Sequence, residues 1–218
     1  MALTRTRLLG YASAAVTLLS GCADVPSTGP TPPDLRSEFR FVNAAPDLGS
    51  VQVSVDGVAE GTLDFTGSTA YKNYPAGSRA ITLSNGEAQF VAMTTDFRGT
   101  IAFLPSASAA AREFFRVTER RLFDTPRTAL RVLNLNPAYE VDVRVFAGAD
   151  TAVAVHLAYK GNGGYRALAA GTYQVEVKTQ IANRDTVLST TSVNLTTSQT
   201  TMILGNVATV SLLNLTDN

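Results

Sequence analysis

The phrase RFVNAAP at residues 40–46 returns as RVLNLNP at 131–137, and no other feature limits the possible folds so sharply. Arg40, Asn43 and Pro46 match Arg131, Asn134 and Pro137 at identical spacing. Val51, Val53 and Val55 then match Val141, Val143 and Val145. Tyr71 precedes Gly77 by six positions, as Tyr165 precedes Gly171. Matching Val117, Leu122 and Asp124 to Val210, Leu215 and Asp217 closes the alignment. A chain of 218 residues that repeats one text of about ninety folds as two copies of one unit. The expected boundaries are 38–126 and 127–218.

Within each copy, VQVSVD, ITLS, VDVRVF and YQVEVK alternate apolar and polar residues, which sets one face in a core and the other in water. Turn formers intervene at Asp56-Gly57, Ala76-Gly77, Asn85-Gly86, Asn162-Gly163-Gly164 and Ala170-Gly171. Asp-Gly and Asn-Gly supply the positive φ angles of tight hairpins. The pattern predicts an all-β chain of two tandem antiparallel β-sandwich domains, immunoglobulin-like, with about seven strands each. Only SASAAAREFF, at 106–115, also fits a turn of helix. Proline stops a strand, and an asparagine side chain bonds nearby backbone groups. Asn43 and Asn134 are therefore expected to pin the corner between the first and second strands of each repeat.

The N-terminus carries a different message. MALTRTR holds two arginines and no acid, and the apolar run LLGYASAAVTLLS follows. These are the parts of a secretory signal peptide, and the run is too short to span a bilayer as a helix. It ends in Leu19-Ser20-Gly21-Cys22, which resembles the bacterial lipoprotein signal. That resemblance implies cleavage after residue 21 and a diacylglycerol on Cys22, with a further acyl chain on its amine. Cys22 is the sole cysteine, so lipidation also explains an unpaired thiol in an exported protein. Ala23, where an Asp would retain a lipoprotein in the inner membrane, favours the outer membrane. Residues 22–37 are rich in proline and poor in apolar groups, and read as an extended tether.

Composition narrows the chemistry. The precursor has 18 basic and 18 acidic side chains, and loss of Arg5 and Arg7 with the signal leaves a slight acidic excess. Such a chain lacks the electrostatic footprint for nucleic acid. His156 is the only histidine; in TAVAVHLAY it falls opposite Val153, Val155 and Leu157, on the face shared with Ala154, and reads as a surface residue. One histidine and an acylated cysteine make a zinc or copper site improbable. Asp47, Asp56, Glu60 and Asp64 follow no calcium-loop spacing. No nucleophile elbow or phosphate-cradling glycine motif occurs. Arg112, Arg116, Arg120, Arg121, Arg127 and Arg131 concentrate around the repeat junction. They read chiefly as a solvated strand edge kept from aggregating by charge, or else as a basic strip for an acidic glycan or partner.

The motif R-[VF]-x-N-x-x-P, then V-x-V-x-V, then Y-x5-G before an alternating strand, resembles the bacterial domain-of-unknown-function 4397 family. The resemblance runs from about residue 38 to 218. It implies envelope proteins, often lipoproteins, with β-sandwich domains in tandem, and it carries no activity to transfer. The expected protein is thus a non-catalytic, lipid-anchored envelope component without metal or cofactor. Its expected partners are the membrane, through Cys22, and an envelope protein or glycan. A carboxylate-dependent hydrolase acting on glycans and a purely architectural spacer are the alternatives.

Overall fold

The computed structural model describes residues 35–106, 111–121 and 128–217. Cys22, the signal segment and nearly all of the tether lie outside the described residues, as do most of the alanines of 106–111. Leu35–Asn218 forms one compact unit. Sixteen strands and one 3-10 turn make it up, with no α-helix among the described residues. The first repeat contributes β1 (Arg36–Asn43), β2 (Val51–Val55), β3 (Val58–Leu63), β4 (Lys72–Pro75), β5 (Gly77–Leu83), β6 (Ala88–Met93), β7 (Phe97–Phe103) and β8 (Phe114–Arg121). The second contributes β9 (Ala129–Asn134), β10 (Val141–Ala147), β11 (Asp150–Leu157), β12 (Arg166–Ala167), β13 (Gly171–Ile181), β14 (Arg184–Leu195), β15 (Gln199–Gly205) and β16 (Val210–Thr216).

Each repeat is a sandwich of two four-stranded sheets, and the two repeats share one topology. The inner sheets run β4-β1-β7-β8 and β12-β9-β15-β16; the outer sheets run β3-β2-β5-β6 and β11-β10-β13-β14. Pairing is antiparallel except that β1 lies parallel to β7, and β9 parallel to β15. The opening strand of each repeat enters the sheet beside a strand that runs in its own direction, so the sheets are mixed and the strands number eight per repeat. Val51, Val53, Val55, Ile81 and Leu83 pack on Phe39, Phe41, Ile101 and Phe103 in the first core. Val141, Val143, Val145, Val175 and Val177 pack on Leu130, Val132 and Ile203 in the second. The alternation in the sequence is therefore the alternation of burial. Asp56-Gly57 forms the predicted hairpin turn, with φ of 49° and 83°. Ala76-Gly77 and Ala170-Gly171 are not hairpin turns: both glycines open strands, β5 and β13.

The predicted corners are present in both repeats with the same bonds. Asn43 Nδ2 donates to the carbonyls of Gly49 (2.7 Å) and Leu63 (3.3 Å), while its Oδ1 accepts from Ala45 N. Asn134 Nδ2 donates to the carbonyls of Tyr139 (2.8 Å) and Leu157 (3.1 Å), and its Oδ1 accepts from Asn136 N. The backbone of each asparagine also clamps a turn: Asn43 N bonds Gly67 O and Asn134 N bonds Gly161 O. Both asparagines are fully buried, so every bond replaces one lost to water.

The register corrects one part of the sequence alignment. Thr100 faces Val117 across β7 and β8, and Thr200 faces Leu215 across β15 and β16. Leu215 is therefore the equivalent of Val117, and Asp217 the equivalent of Glu119, not of Asp124. The β13–β14 hairpin is longer than β5–β6, and the link into β16 is shorter than that into β8. These length changes shift the true offset, and the Val-Leu-Asp spacing coincides without meaning.

Candidate functional site: a reciprocal ionic cluster between the repeats

Strands β1 and β9 are buried on both faces, which a sheet facing solvent on one side cannot produce. In β1, Phe39 and Phe41 enter the first core while Arg40 and Val42 point the other way. In β9, Leu130 and Val132 enter the second core while Arg131 and Leu133 point away. The two outward-pointing sets meet. Val42, Ala44, Ala102, Leu104 and Val117 of the first repeat join Leu133, Leu135, Met202, Leu204 and Leu215 of the second in a third apolar cluster, flanked by half-buried Phe65, Phe115, Tyr159 and Leu213. Every residue of this cluster has its topological equivalent in it.

Beside this cluster lies a buried group of charges built on the same rule. Arg40 Nη2 bonds Glu119 Oε1 (3.0 Å) in its own repeat and Asp217 Oδ1 (2.6 Å) in the other. Arg131 Nη2 lies 3.9 Å from Glu119 Oε1, the reciprocal cross-repeat contact, longer and weaker than the first. Arg40 Nη1 donates to Thr216 O at 2.7 Å, and Arg131 Nη1 donates to Thr118 O at 2.9 Å. Thr118 and Thr216 are themselves equivalents. Arg40 Nε bonds Thr100 Oγ1, and Arg131 Nε bonds Thr200 Oγ1. Each hydroxyl donates to the acid of its own repeat, Thr100 to Glu119 and Thr200 to Asp217. Tyr71 caps Arg40 with its ring 4.5 Å away and donates to Glu119; Tyr165 caps Arg131 at 4.5 Å and donates to Asp217.

Two guanidinium groups and two carboxylates cancel in charge, and nearly all their polar atoms have partners, which is the condition for burying ions without a severe desolvation loss. Burial is the largest influence on Arg40 and disfavours its charge. Glu119 foremost, with Tyr71 and Asp217, outweighs burial, and the guanidinium pKa is raised. Burial, then the nearby carboxylates, pushes the phenols of Tyr71 and Tyr165 well above their ordinary range, so both remain proton donors. One group breaks the symmetry. Arg98, on the first repeat alone, also lies over the Tyr71 ring at 4.6 Å and donates to Asp217 O at 3.2 Å.

The other residues that the sequence singles out stand apart from this centre. Of the basic strip, Arg131 is a buried member of the cluster, not a solvated residue. Arg112 is also buried, bound to Asp47 (2.9 Å), Glu87 (2.8 Å) and the carbonyl of Leu104. Its planar fork meets three acceptors that a solvated strand edge would not offer, and this corrects the reading of these two arginines as a surface strip. Arg116 is exposed and bonds Ala92 O and Thr94. Arg127 and the side chains of Arg120 and Arg121 lie outside the described residues. Asp47, Asp56 and Glu60 do not converge: Asp56 is held by Arg79 and Glu60 by Lys72. Asp64 closes a separate turn, its carbonyl accepting from Gly67 N. Among the described residues no group of three or more His, Cys, Asp or Glu side chains is placed to hold a metal ion.

His156 is exposed on the outer sheet with Ala154, as its parity requires. Its Nδ1 lies 2.9 Å from Asp142 Oδ1 and its Nε2 3.6 Å from Glu140 Oε2. The hydrogen bond to Asp142 raises its pKa above 6.5. The three groups border an open depression of about 670 Å³, completed by Tyr139, Thr179 and the tip of the β13–β14 hairpin.

Sequence reasoning finds the repeated Arg40, Arg131, Tyr71 and Tyr165 as words but assigns them to turns and core strands. The signal that points further is parity. In FRFV and LRVL, large apolar residues occupy both faces of one strand with an arginine among them, which requires a partner on each side. Glu119 and Asp217 carry no such signal, because the length changes between repeats hide their equivalence.

Fold and cluster together define an all-β protein of two fused sandwich repeats packed about a shared ionic centre. Residues 128–218, the second repeat, match the model of a family described as a domain of unknown function (DUF4397). A search of curated proteins finds no match to this chain.

Proposed function

We propose that this chain is a non-catalytic, lipid-anchored component of the bacterial cell envelope, held in the outer membrane through Cys22, which presents its two sandwich repeats as one rigid body to an envelope protein or glycan. The carrying observation is the fate of the ionisable groups that the fold gathers. Arg40, Arg131, Glu119 and Asp217 are buried and bound to one another across the repeats, so among the described residues this polar centre joins domains and its charged side chains are closed off from solvent. The lipoprotein-like Leu19-Ser20-Gly21-Cys22 supports the anchor, and two acyl chains suffice for stable membrane attachment. The proline-rich stretch after Cys22 supports presentation at a distance from the bilayer.

The test is fractionation of cells expressing the full chain or Cys22→Ala, with cross-linking and affinity purification of both. The expected result is membrane recovery of the parent and release of the variant into the soluble envelope fraction, with a stoichiometric partner seen only for the anchored form. Membrane retention of Cys22→Ala would refute the anchor. Turnover of envelope glycans by the purified parent would refute the non-catalytic reading.

A further inference from the structure

Each sandwich has an open side bounded by the terminal strands of its two sheets, β3 and β4 in the first repeat, β11 and β12 in the second. Register makes the two sides comparable residue by residue. Lys72 faces Phe39 as Arg166 faces Leu130, so Arg166 is the equivalent of Lys72, and Leu168 that of Tyr74. Leu63 and Leu157 likewise face Val51 and Val141 at the ends of β3 and β11. The first repeat closes this side with an acid. Glu60, at the bulge of β3, has a side chain 6% exposed and accepts from Lys72 Nζ at 2.6 Å and from the Tyr74 phenol. A charge turned inward is one device that keeps a terminal strand from pairing with another chain. The second repeat keeps the cation without the acid. From Thr151 to Leu157, β11 reads TAVAVHL, with Ala154 as far before Leu157 as Glu60 is before Leu63. Among the described residues Arg166 has no ion pair and no hydrogen bond. It borders an open depression of about 540 Å³, walled by Ala152 and Ala154 of β11 on one side and by Tyr165 and Leu168 on the other.

We propose that β11 is a docking edge for an extended segment of a partner protein bearing an Asp or Glu, which adds to the four-stranded outer sheet and sets its carboxylate on Arg166. β11 is hydrogen-bonded to β10 alone, and its bulge lies at Ala152, so Val153–Leu157 is the regular stretch offered for pairing. In strand addition the main chain supplies affinity, and alternate side chains, which point toward one face of the sheet, supply specificity. The inward set of an added strand faces the depression where Arg166 lies. Its acid takes the role that Glu60 plays for Lys72 in the first repeat, so the chain itself carries the pattern of the complex. A glycan carboxylate could pair with Arg166 but would leave the strand edge unpaired; an acidic peptide strand answers both. This inference rests on the reading of the chain as a binding protein, and narrows its partner to a protein strand.

The test selects short random peptides, displayed on phage, against the full chain in detergent and against its Arg166→Glu variant, an exposed substitution that leaves the core untouched. Peptides enriched on the parent are expected to alternate β-forming residues around an Asp or Glu at one fixed position, and the variant is expected to select Lys or Arg there instead. For the best peptide made synthetically, neutralising its acid should weaken binding to the parent by about tenfold or more, the effect of one charge-assisted hydrogen bond. Its binding should slow amide exchange within 153–157 and leave β3 unchanged. No enrichment, the same consensus from parent and variant, or binding without protection of β11 would each overturn the proposal. So would polygalacturonate that binds the parent, fails to bind Arg166→Glu and leaves β11 amides unprotected, which would assign Arg166 to a glycan. None of these readouts involves membrane attachment or turnover, so failure of the docking edge is told apart from failure of the anchor or of the non-catalytic reading.

Discussion

Asn43 and Asn134 show how much structure one side chain can carry. Each is buried, and each makes two donor bonds and one acceptor bond through its amide while its backbone holds a neighbouring turn. Truncation strands the buried carbonyls and an amide that the side chain now satisfies. Asn43→Ala and Asn134→Ala are each expected to lower stability by about 3 kcal/mol, read as a shift in urea midpoint at unchanged slope. His156 acts at the opposite extreme of exposure. Its pKa is raised in the folded chain, chiefly by the hydrogen bond to Asp142. Its contribution is fully present below the unfolded value near 6.5 and is lost as pH rises through the raised folded value. An NMR titration should place His156 above 6.5, and Asp142→Asn should bring it down; an unchanged midpoint in the variant would remove Asp142 as the cause.

At the scale of elements, the decisive feature is a strand with two buried faces. β1 and β9 each serve a sandwich core with one parity and the repeat interface with the other, and each pairs in parallel with the strand that bears the matching threonine. That register sets Arg40 beside Thr100 and Arg131 beside Thr200, which aims both guanidinium groups at the acids of β8 and the segment after β16. Removing one member leaves uncompensated charge in an apolar surround. Arg131→Ala is expected to cost about 3–5 kcal/mol by chemical denaturation. Glu113→Gln, which breaks the ion pair with Lys160 between side chains 46% and 32% exposed, is expected to cost less than about 1 kcal/mol. Equal losses from the two variants would mean that the central cluster is no more than a surface contact.

For the whole molecule, the shared apolar cluster and the cross-repeat charges couple two bodies that each have a core. The expectation is a single unfolding transition, coincident by far-UV circular dichroism and tyrosine fluorescence, because parting the repeats exposes both the third cluster and four ions at once. Two separated transitions in the wild-type chain would contradict this coupling. The same interface leaves the outer sheets, with His156, Asp142 and the β13–β14 hairpin on the second repeat, as the broad faces open to solvent.

Much of this is written in the linear text. Strand identity follows from period-two alternation, because each such strand has one face on a core. The duplication follows from recurrence of Arg, Asn and Pro at fixed spacing, and the asparagine corners from the capacity of a short amide to replace backbone bonds where proline ends a ladder. The address proposed for Cys22 likewise rests on the chain, on the resemblance of Leu19-Ser20-Gly21-Cys22 to a lipoprotein signal, and it falls outside the described residues. Tertiary structure alone decided what the arginines and acids do. Arg40 lies far along the chain from both Glu119 and Asp217, and register, hairpin length and the turning of one sandwich against another determine which charges meet. Sequence sets which side of a strand a residue faces; only the packing of sheets settles whether that side meets water or a second copy of the same fold.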